Sequence, residues 1–277
     1  MRLSLGISSC PNDTFIFDAL IHGKVDTEGL TFDVCMTDVE DLNRKASERS
    51  IQVTKLSFHS FAYAAENYTL LNSGSALGRK NGPLLISKNV RNTDDIHALR
   101  IAIPGKYTTA NLLFSIFFPE ASNKQEYLFS DIEGALLNNE ADAGVVIHEN
   151  RFTFEKRGLV KLADLGELWE SKTGFPIPLG GIAVNNSLPL SIQQTVDRVL
   201  KRSVRYAREY PGSSADFVKK NARELEMDII RKHIDLYVND FTEDLGETGK
   251  EAIRVLFQIA GEKRVIPYLS GNYFLKQ

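Results

Sequence analysis

Apolar and polar positions alternate at the start of the chain and then change to a helical period. Residues 3–7 place Leu3, Leu5 and Ile7 at every second position, which is the spacing of a strand with one buried face. After the polar stretch of residues 8–13, the apolar residues recur at the spacing of a helix. The pattern predicts a strand, a turn and a helix, in that order.

The same succession of strand and helix follows twice more. Residues 30–36 are rich in β-forming residues, and Thr37 with Glu40 matches a capping box that opens a helix. Residues 51–56 again have the composition of a strand, and Ser57 begins a short apolar helix. Strands that alternate with helices favour a mostly parallel, doubly wound α/β sheet.

A second lobe is predicted in the middle of the chain. The apolar residues 84–87 are followed by a polar run at residues 88–95, where we place the crossing between lobes. The second lobe then opens with a strand at residues 100–103 and includes a strand at residues 143–147.

The chain is predicted to return to the first lobe before its end. Residues 179–184 have the pattern of a returning strand, and the remainder is mainly helical. A double crossover of this kind makes a hinged cleft. We therefore predict a larger α/β lobe from residues 1–98 and 178–277 and a smaller α/β lobe from residues 99–177.

Composition places the chain among ordinary globular proteins. Of its 277 residues, 43% are hydrophobic and 25% are charged, and 33 basic against 36 acidic residues give a net charge of −3. Because this balance leaves no overall electrostatic footprint, we expect neither a nucleic-acid nor a membrane partner. No stretch approaches the ~20 apolar residues of a membrane span and no signal peptide is recognisable, so we expect a cytoplasmic protein. Cys10 and Cys35 are too few for a disulfide framework, and free thiols are expected.

Four loops fall at predicted strand ends or helix starts, where ligands of open α/β sheets bind. They are residues 9–13, 55–57, 106–110 and 148–150. Their coincidence predicts a small-molecule site in the cleft.

Two of these loops offer groups for a carboxylate. Residues 103–110 combine a glycine turn, two hydroxyls and a helix start, although a plain N-cap by Thr108 or Thr109 explains them equally well. Lys55 ends a strand, and a lysine in that place is more often a solvated charge than a ligand contact. Asn12 and Asp13 have a structural role available as helix caps, and the aspartate could also contact substrate.

His148 is the candidate general base. It follows the apolar residues 144–147 at the end of a strand, and an unperturbed pKa of about 6.5 suits proton abstraction near neutral pH. A hydrogen-bonded structural histidine is the alternative. Glu149 and Arg151 could orient His148, pair with each other or remain solvated charges, and His59, close to the Lys55 loop, is a secondary candidate.

Residues 9–20, with the sequence SCPNDTFIFDAL, resemble the opening of the 1,4-dihydroxy-6-naphthoate synthases of the futalosine route to menaquinone. The resemblance continues through residues 54–57, 105–113, 143–152 and 178–182 and covers essentially the whole chain. One departure is the serine at position 9, where the family often has proline. The resemblance implies a fold like that of the type 2 periplasmic binding proteins, with the larger lobe built from both chain ends.

The resemblance also implies site residues and a reaction. His148 matches the family's proton acceptor, and the matching substrate-binding positions are Lys55, Leu56, Ser57, Thr109 and Ala110. The implied substrate is cyclic dehypoxanthine futalosine, which loses its sugar remnant as the second ring becomes aromatic. This scheme requires no metal and no organic cofactor.

Three other functions fit the same pattern. A solute-binding protein of the same fold would capture a small carboxylate without chemistry, but an export signal would be expected. The sensing domain of a transcription regulator would carry a helix-turn-helix at one end. A neighbouring enzyme of the same pathway is the third alternative. A homo-oligomer is compatible with the sequence.

Overall fold

The computed structural model describes residues 1–147, 151–222 and 226–276. Within these residues the chain forms eleven strands and eleven α-helices. The strands, β1 to β11, are Arg2–Ile7, Thr31–Met36, Val53–Ser57, Tyr68–Leu70, Ala76–Gly78, Leu84–Ser87, Ile101–Ile103, Lys124–Glu126, Ala143–Val146, Val160–Asp164 and Ile177–Asn185. The helices, α1 to α11, are Pro11–Ile21, Val39–Ser47, Phe58–Ala64, Thr109–Phe117, Ile132–Leu137, Leu165–Thr173, Leu190–Glu209, Ala215–Asn221, Met227–Tyr237, Asp240–Glu243 and Gly246–Glu262.

The strands form two sheets of mixed direction. The first sheet has the order β2-β1-β3-β11-β4, with β5 paired to β11, and the second has the order β10-β6-β9-β7-β8. Strand β1 is parallel to β2 and β3, and β7 is parallel to β8 and β9, whereas every pairing of β11 or β6 is antiparallel. The prediction of mostly parallel sheets was therefore wrong. Strand–helix alternation fixes the direction of successive strands in one sheet, but not that of a strand arriving from the other sheet.

Strand β6 belongs to the second sheet. Its Leu85 pairs with Val145 of β9, so the chain crosses between the sheets before Leu84 and not in the polar run at residues 88–95. A short apolar strand has the same sequence pattern in either sheet, and the predicted position of the crossing was therefore wrong. Strand β11 lies in the first sheet, where the returning strand was predicted. The division into lobes at residues 98 and 178 stays a prediction.

Three clusters of buried apolar side chains hold the sheets and helices together. One lies between the first sheet and helices α1 and α7, and a small one packs α5 on the second sheet. The third contains residues of both sheets together with α3, α4 and α11, so it connects the two halves of the fold. Trp169 is fully buried in this third cluster and donates its indole N–H to Pro176, which makes it a core residue. No helix in the described part of the chain is long and apolar enough to cross a membrane.

Helix α2 begins one residue later than the capping-box pattern predicted. The backbone N–H of Thr37 donates to the carbonyl of Ile7, so Thr37 continues the pairing of β2 with β1 and is not yet helical. Asp38 is therefore the N-cap, and its carboxylate accepts from the N–H of Glu40 at 2.9 Å. The Thr37 hydroxyl donates instead to the Asp41 carboxylate at 2.9 Å.

Two glycines bring the backbone together at the crossing between the sheets. A Cβ atom on Gly82 would lie 2.4 Å from the N and Cα atoms of Gly166, at the start of α6. Asp164 caps this helix by accepting from the N–H groups of Gly166 and Glu167. Because both partners at this contact are backbone, neither can move aside as a flexible side chain would.

We predict that Gly82→Ala lowers the free energy of unfolding by about 3 kcal/mol, because overpacking against backbone forces the chain to shift. Gly212→Ala is the matched control, since a Cβ there meets no atom within 4 Å, and it should change stability by less than about 0.5 kcal/mol. Urea denaturation measures both. Equal midpoints for the two variants would contradict the contact.

Candidate active site

A cavity of about 90 Å³ lies between the two sheets, at the ends of β1, β3 and β9. Its apolar wall comprises Val39, Leu56, Ala76, Pro83, Ile147 and Leu179. Its polar lining includes Asn12, Asp13, Lys55, Ser57, Thr108 and Thr109. The cavity thus combines a surface for a flat apolar body with groups for an oxygen-rich edge.

The cavity brings together all five predicted binding positions. They are Lys55, Leu56, Ser57, Thr109 and Ala110. That these residues bind substrate stays a prediction. His148 and Glu149 lie outside the described residues, although Ile147, which directly precedes His148 in the chain, lines the cavity.

Lys55 is buried and paired, and the alternative of a solvated surface charge is wrong. Its Nζ atom lies 2.8 Å from Oδ1 of Asp13, and the Lys55 side chain is only 9% exposed. Asp13 itself is completely buried and also accepts from the N–H and the hydroxyl of Ser8. The plain helix-cap role is not what Asp13 does, because its carboxylate binds Ser8, directly after β1, and Lys55 on β3.

Ser57 is fixed by helix α2. The Asn43 side chain accepts from the Ser57 N–H at 3.1 Å, and its Nδ2 atom lies 3.3 Å from the Ser57 hydroxyl oxygen. Asn43 also donates to Glu40, whose carboxylate accepts from the Tyr107 N–H at 3.2 Å. Burial raises the pKa of Glu40 above its usual value, although these hydrogen bonds oppose the shift. Helix α2 therefore fixes the segment that contains Ser57 relative to the segment that begins with Tyr107.

The hydroxyl of Thr109 joins three elements. It accepts from the N–H of Phe58 at 2.9 Å and donates to the carbonyl of Leu179 at 2.5 Å, so it connects α3, α4 and β11. Thr108 is the N-cap of α4, in agreement with one of the two predicted caps. The backbone N–H groups of Thr109 and Ala110 have no acceptor among the described residues. They lie at the positive end of the α4 dipole and can receive an anion.

His59 is a neutral structural residue beside this helix start. Its Nδ1–H donates to the carbonyl of Thr108 at 3.2 Å, and its ring lies 5.9 Å from the rings of Tyr63 and Tyr107. Burial lowers the pKa of His59 from 6.5 to about 4, and the nearby Lys124 and Lys106 add to that effect. His59 is not among the residues that line the cavity.

Arg151 fastens the chain segment that follows β9. Its guanidinium donates to the carbonyls of Gly82 and Lys80 and lies 3.6 Å from the carboxylate of Asp164. These partners all belong to the crossing between the sheets or to the start of α6. The alternative of a solvated Arg151 is wrong, because its side chain is only 11% exposed.

The described residues contain no group of three or more histidine, cysteine or acidic side chains placed to hold a metal ion. Cys10 is buried at the start of α1, Cys35 is partly buried in β2, and neither forms a disulfide.

Solved structures with the same arrangement of two sheets define the class of this protein. A protein from Archaeoglobus fulgidus is 33% identical, with a TM-score of 0.90 over 96% of this chain and 98% of that one. The alkanesulfonate-binding protein SsuA from Xanthomonas axonopodis pv. citri, solved with MOPS, is 11% identical, with a TM-score of 0.73 over 96% and 94%. This chain is a two-lobed α/β protein with a periplasmic-binding-protein-like fold, and the predicted fold class is confirmed.

The comparison with protein families narrows this class. The model of the menaquinone biosynthesis family matches residues 3–262. A 1,4-dihydroxy-6-naphthoate synthase from Thermus thermophilus is 40% identical over 92% of both chains. Another from Streptomyces coelicolor is 39% identical over 98% of this chain and 96% of its own. The chain belongs to the menaquinone biosynthesis family and is an enzyme that acts on a small molecule.

Several residues of the site carry no signal of their site role in the sequence. Glu40 matches a capping box, and Asn43 and His233 look like ordinary polar positions of amphipathic helices. His233 is completely buried, and its Nε2 atom lies 2.9 Å from Oδ1 of Asn12. A short-range pattern cannot reveal a partner 221 residues away.

The low pKa of His59 predicts a loss of stability in acid. As the pH falls below 6.5, His59 binds a proton in the unfolded chain, but in the folded protein it does so only near pH 4. The free energy of unfolding therefore decreases as the pH falls from 6.5 to about 4 and changes little below that. Relative to a His59→Gln variant, the native protein should lose about 3 kcal/mol between pH 7 and pH 4. Urea denaturation at several pH values measures this. The exposed His97, changed to Gln, is the control, and an equal loss in His59→Gln would refute the assignment.

Thr109→Val tests whether the Thr109 hydroxyl stabilises the connection between α3, α4 and β11. The substitution keeps the shape of the side chain but leaves the Phe58 N–H and the Leu179 carbonyl unpaired in a buried place, which costs about 1–3 kcal/mol. Thr109→Ser keeps the hydroxyl and should retain most of the stability. Thermal or urea unfolding compares the two variants, and a valine variant as stable as the serine variant would rule out the link.

Proposed function

We propose that this enzyme converts cyclic dehypoxanthine futalosine to 1,4-dihydroxy-6-naphthoate, with His148 as the general base. The observation that carries the proposal is the convergence of Lys55, Leu56, Ser57, Thr109 and Ala110 on one cavity, in a chain about 40% identical to two 1,4-dihydroxy-6-naphthoate synthases. Either fact alone is weaker, because a fold of this kind serves many functions.

The substrate's carboxylate would bind at the start of α4. The N–H groups of Thr109 and Ala110 supply two donors there, and the helix dipole favours the negative charge. The Ser57 hydroxyl lies on the same cavity and supplies another polar contact. The bicyclic body of the substrate would then lie along the apolar wall around Leu56 and Leu179, where water is excluded.

His148 would start the reaction by removing a proton from the substrate. The electron pair of the broken C–H bond forms a double bond in the second ring and moves the π electrons of a conjugated ring carbonyl onto its oxygen. Return of these electrons expels the sugar remnant with the electrons of the bond that breaks, and the second ring becomes aromatic. Aromatisation supplies the driving force, so the protein needs mainly a base and a fixed substrate orientation. Residues 148–150 follow a strand end on the cavity, which is the position that a base on this loop requires.

A second candidate function is capture of a small carboxylate without chemistry. The similarity of the fold to that of the alkanesulfonate-binding protein favours it, and the same donors at α4 would serve both functions. The two candidates differ only in turnover, so turnover decides between them. The cytoplasmic location and a homo-oligomeric state stay predictions.

The first experiment incubates the purified protein with cyclic dehypoxanthine futalosine and follows 1,4-dihydroxy-6-naphthoate by chromatography and mass spectrometry. We expect product from the native protein and a fall in kcat of about 100- to 10,000-fold in His148→Asn, because a positioned base contributes that much. Substrate binding, measured by calorimetry, should change by no more than a few-fold.

His97→Asn is the matched control, because His97 is exposed and does not line the cavity, and it should keep the native rate. Near-native turnover by His148→Asn would exclude His148 as the base. A native protein that binds the compound and releases no product would establish the binding protein in place of the enzyme.

A further inference from the structure

Asp13 is a carboxylate with both oxygens fully engaged. Oδ2 accepts from the Ser8 hydroxyl at 2.7 Å and from the Ser8 N–H at 3.2 Å. Oδ1 accepts from Asn12 Nδ2 at 2.9 Å and from Lys55 Nζ at 2.8 Å. A carboxylate held by four donors is fixed in position and has no free lone pair with which to take a proton from a ligand.

The Lys55 ammonium uses only part of its hydrogen-bonding capacity within the described part of the chain. An ammonium group carries three N–H donors, and within the described part of the chain the Lys55 ammonium donates to Asp13 alone. The Lys55 side chain is 9% exposed and lines the cavity, so bulk water does not supply a full set of alternative acceptors. Two N–H donors of a buried cation therefore remain for a molecule in the cavity.

A second layer of residues holds Asp13 from behind. Asn12 donates to Asp13 through its Nδ2 atom, and its Oδ1 accepts from Nε2–H of the buried His233 at 2.9 Å. His233 lies on α9, and its ring is 4.6 Å from the ring of Tyr237, which lines the same cavity. The C-terminal half of the chain thereby fixes the orientation of an N-terminal carboxylate.

We propose that Asp13 is a positioning residue that acts through Lys55, with Asn12 and His233 holding Asp13 in place. Lys55 presents its two remaining N–H donors to the ring oxygen on which negative charge develops as the base removes the substrate's proton. This inference rests on the proposed function, whose product carries two ring hydroxyl oxygens. Preorganised donors of this kind act mainly on the transition state, so their loss lowers kcat more than it raises KM.

A double-mutant cycle tests the pair. Asp13→Asn and Lys55→Met should each lower kcat about 100-fold with KM changed less than about threefold. Because Asp13 acts only through Lys55, the double variant should be no slower than Lys55→Met alone. Removing one partner of a buried ion pair leaves an unpaired charge and destabilises the fold. The double variant has no charge at either position, so it can still be measured if a single variant does not fold.

The control pair joins Asp18, on the same helix as Asp13, to Lys24, which follows the end of that helix. Asp18 is also buried, and its carboxylate is 2.5 Å from Lys24 Nζ, but neither residue lines the cavity. Asp18→Asn and Lys24→Met should therefore destabilise the protein without changing kcat by more than about twofold. His233→Phe, which removes the donor to Asn12, should lower kcat about tenfold with little effect on KM.

Binding of 1,4-dihydroxy-6-naphthoate provides a readout that does not need turnover. Asp13→Asn and Lys55→Met should each weaken its binding about tenfold, and the double variant should be no weaker than Lys55→Met. Additive losses in either cycle, or a native kcat in Asp13→Asn, would overturn the positioning role while the proposed function stands. Coupled losses of binding in a protein that forms no product would leave the positioning role and reject the proposed function.

Discussion

The geometry of the cavity depends on the pairing of β11 with β3. In this antiparallel pair Gly180 lies opposite Ser57, and a Cβ on Gly180 would lie 2.8 Å from the carbonyl oxygen of Leu56. The close approach brings the Leu179 carbonyl within reach of the Thr109 hydroxyl, which also receives the Phe58 N–H. This strand pairing and the Thr109 hydroxyl, together with the contacts of helix α2, thus set the distance between the two segments that line the cavity.

The sequence predicted the local parts of this arrangement and not their long-range partners. The alternation of residues 3–7 and the cap at Thr108 are local patterns, and the structure has them where they were expected. Residues 55–57, predicted as a loop, instead belong to strand β3, which ends at Ser57. The sheet to which residues 84–87 belong is decided by pairing with β9, which no local pattern encodes. The same limit explains why the local pattern alone favoured a solvated charge at Lys55, since its partner lies 42 residues earlier.

The fold alone does not determine whether a protein of this class binds a ligand or catalyses a reaction. The similarity to the alkanesulfonate-binding protein extends over nearly the whole chain at 11% identity, and at that identity it shows the fold alone. Chemistry requires in addition a base and a place for the charge that the base creates. Those demands fall on individual side chains, so function in this class must be argued from residues and not from topology.

A lysine beside an apolar wall raises a problem that Asp13 solves. An isolated ammonium so little exposed to water would be costly, and it would also attract any anion that entered the cleft. Pairing with Asp13 offsets the net charge while leaving two N–H donors directed by geometry and not by a long-range field. A site built this way responds to charge that develops on a bound ring at contact distance, because the donors are already in place and need no reorganisation when the proton leaves.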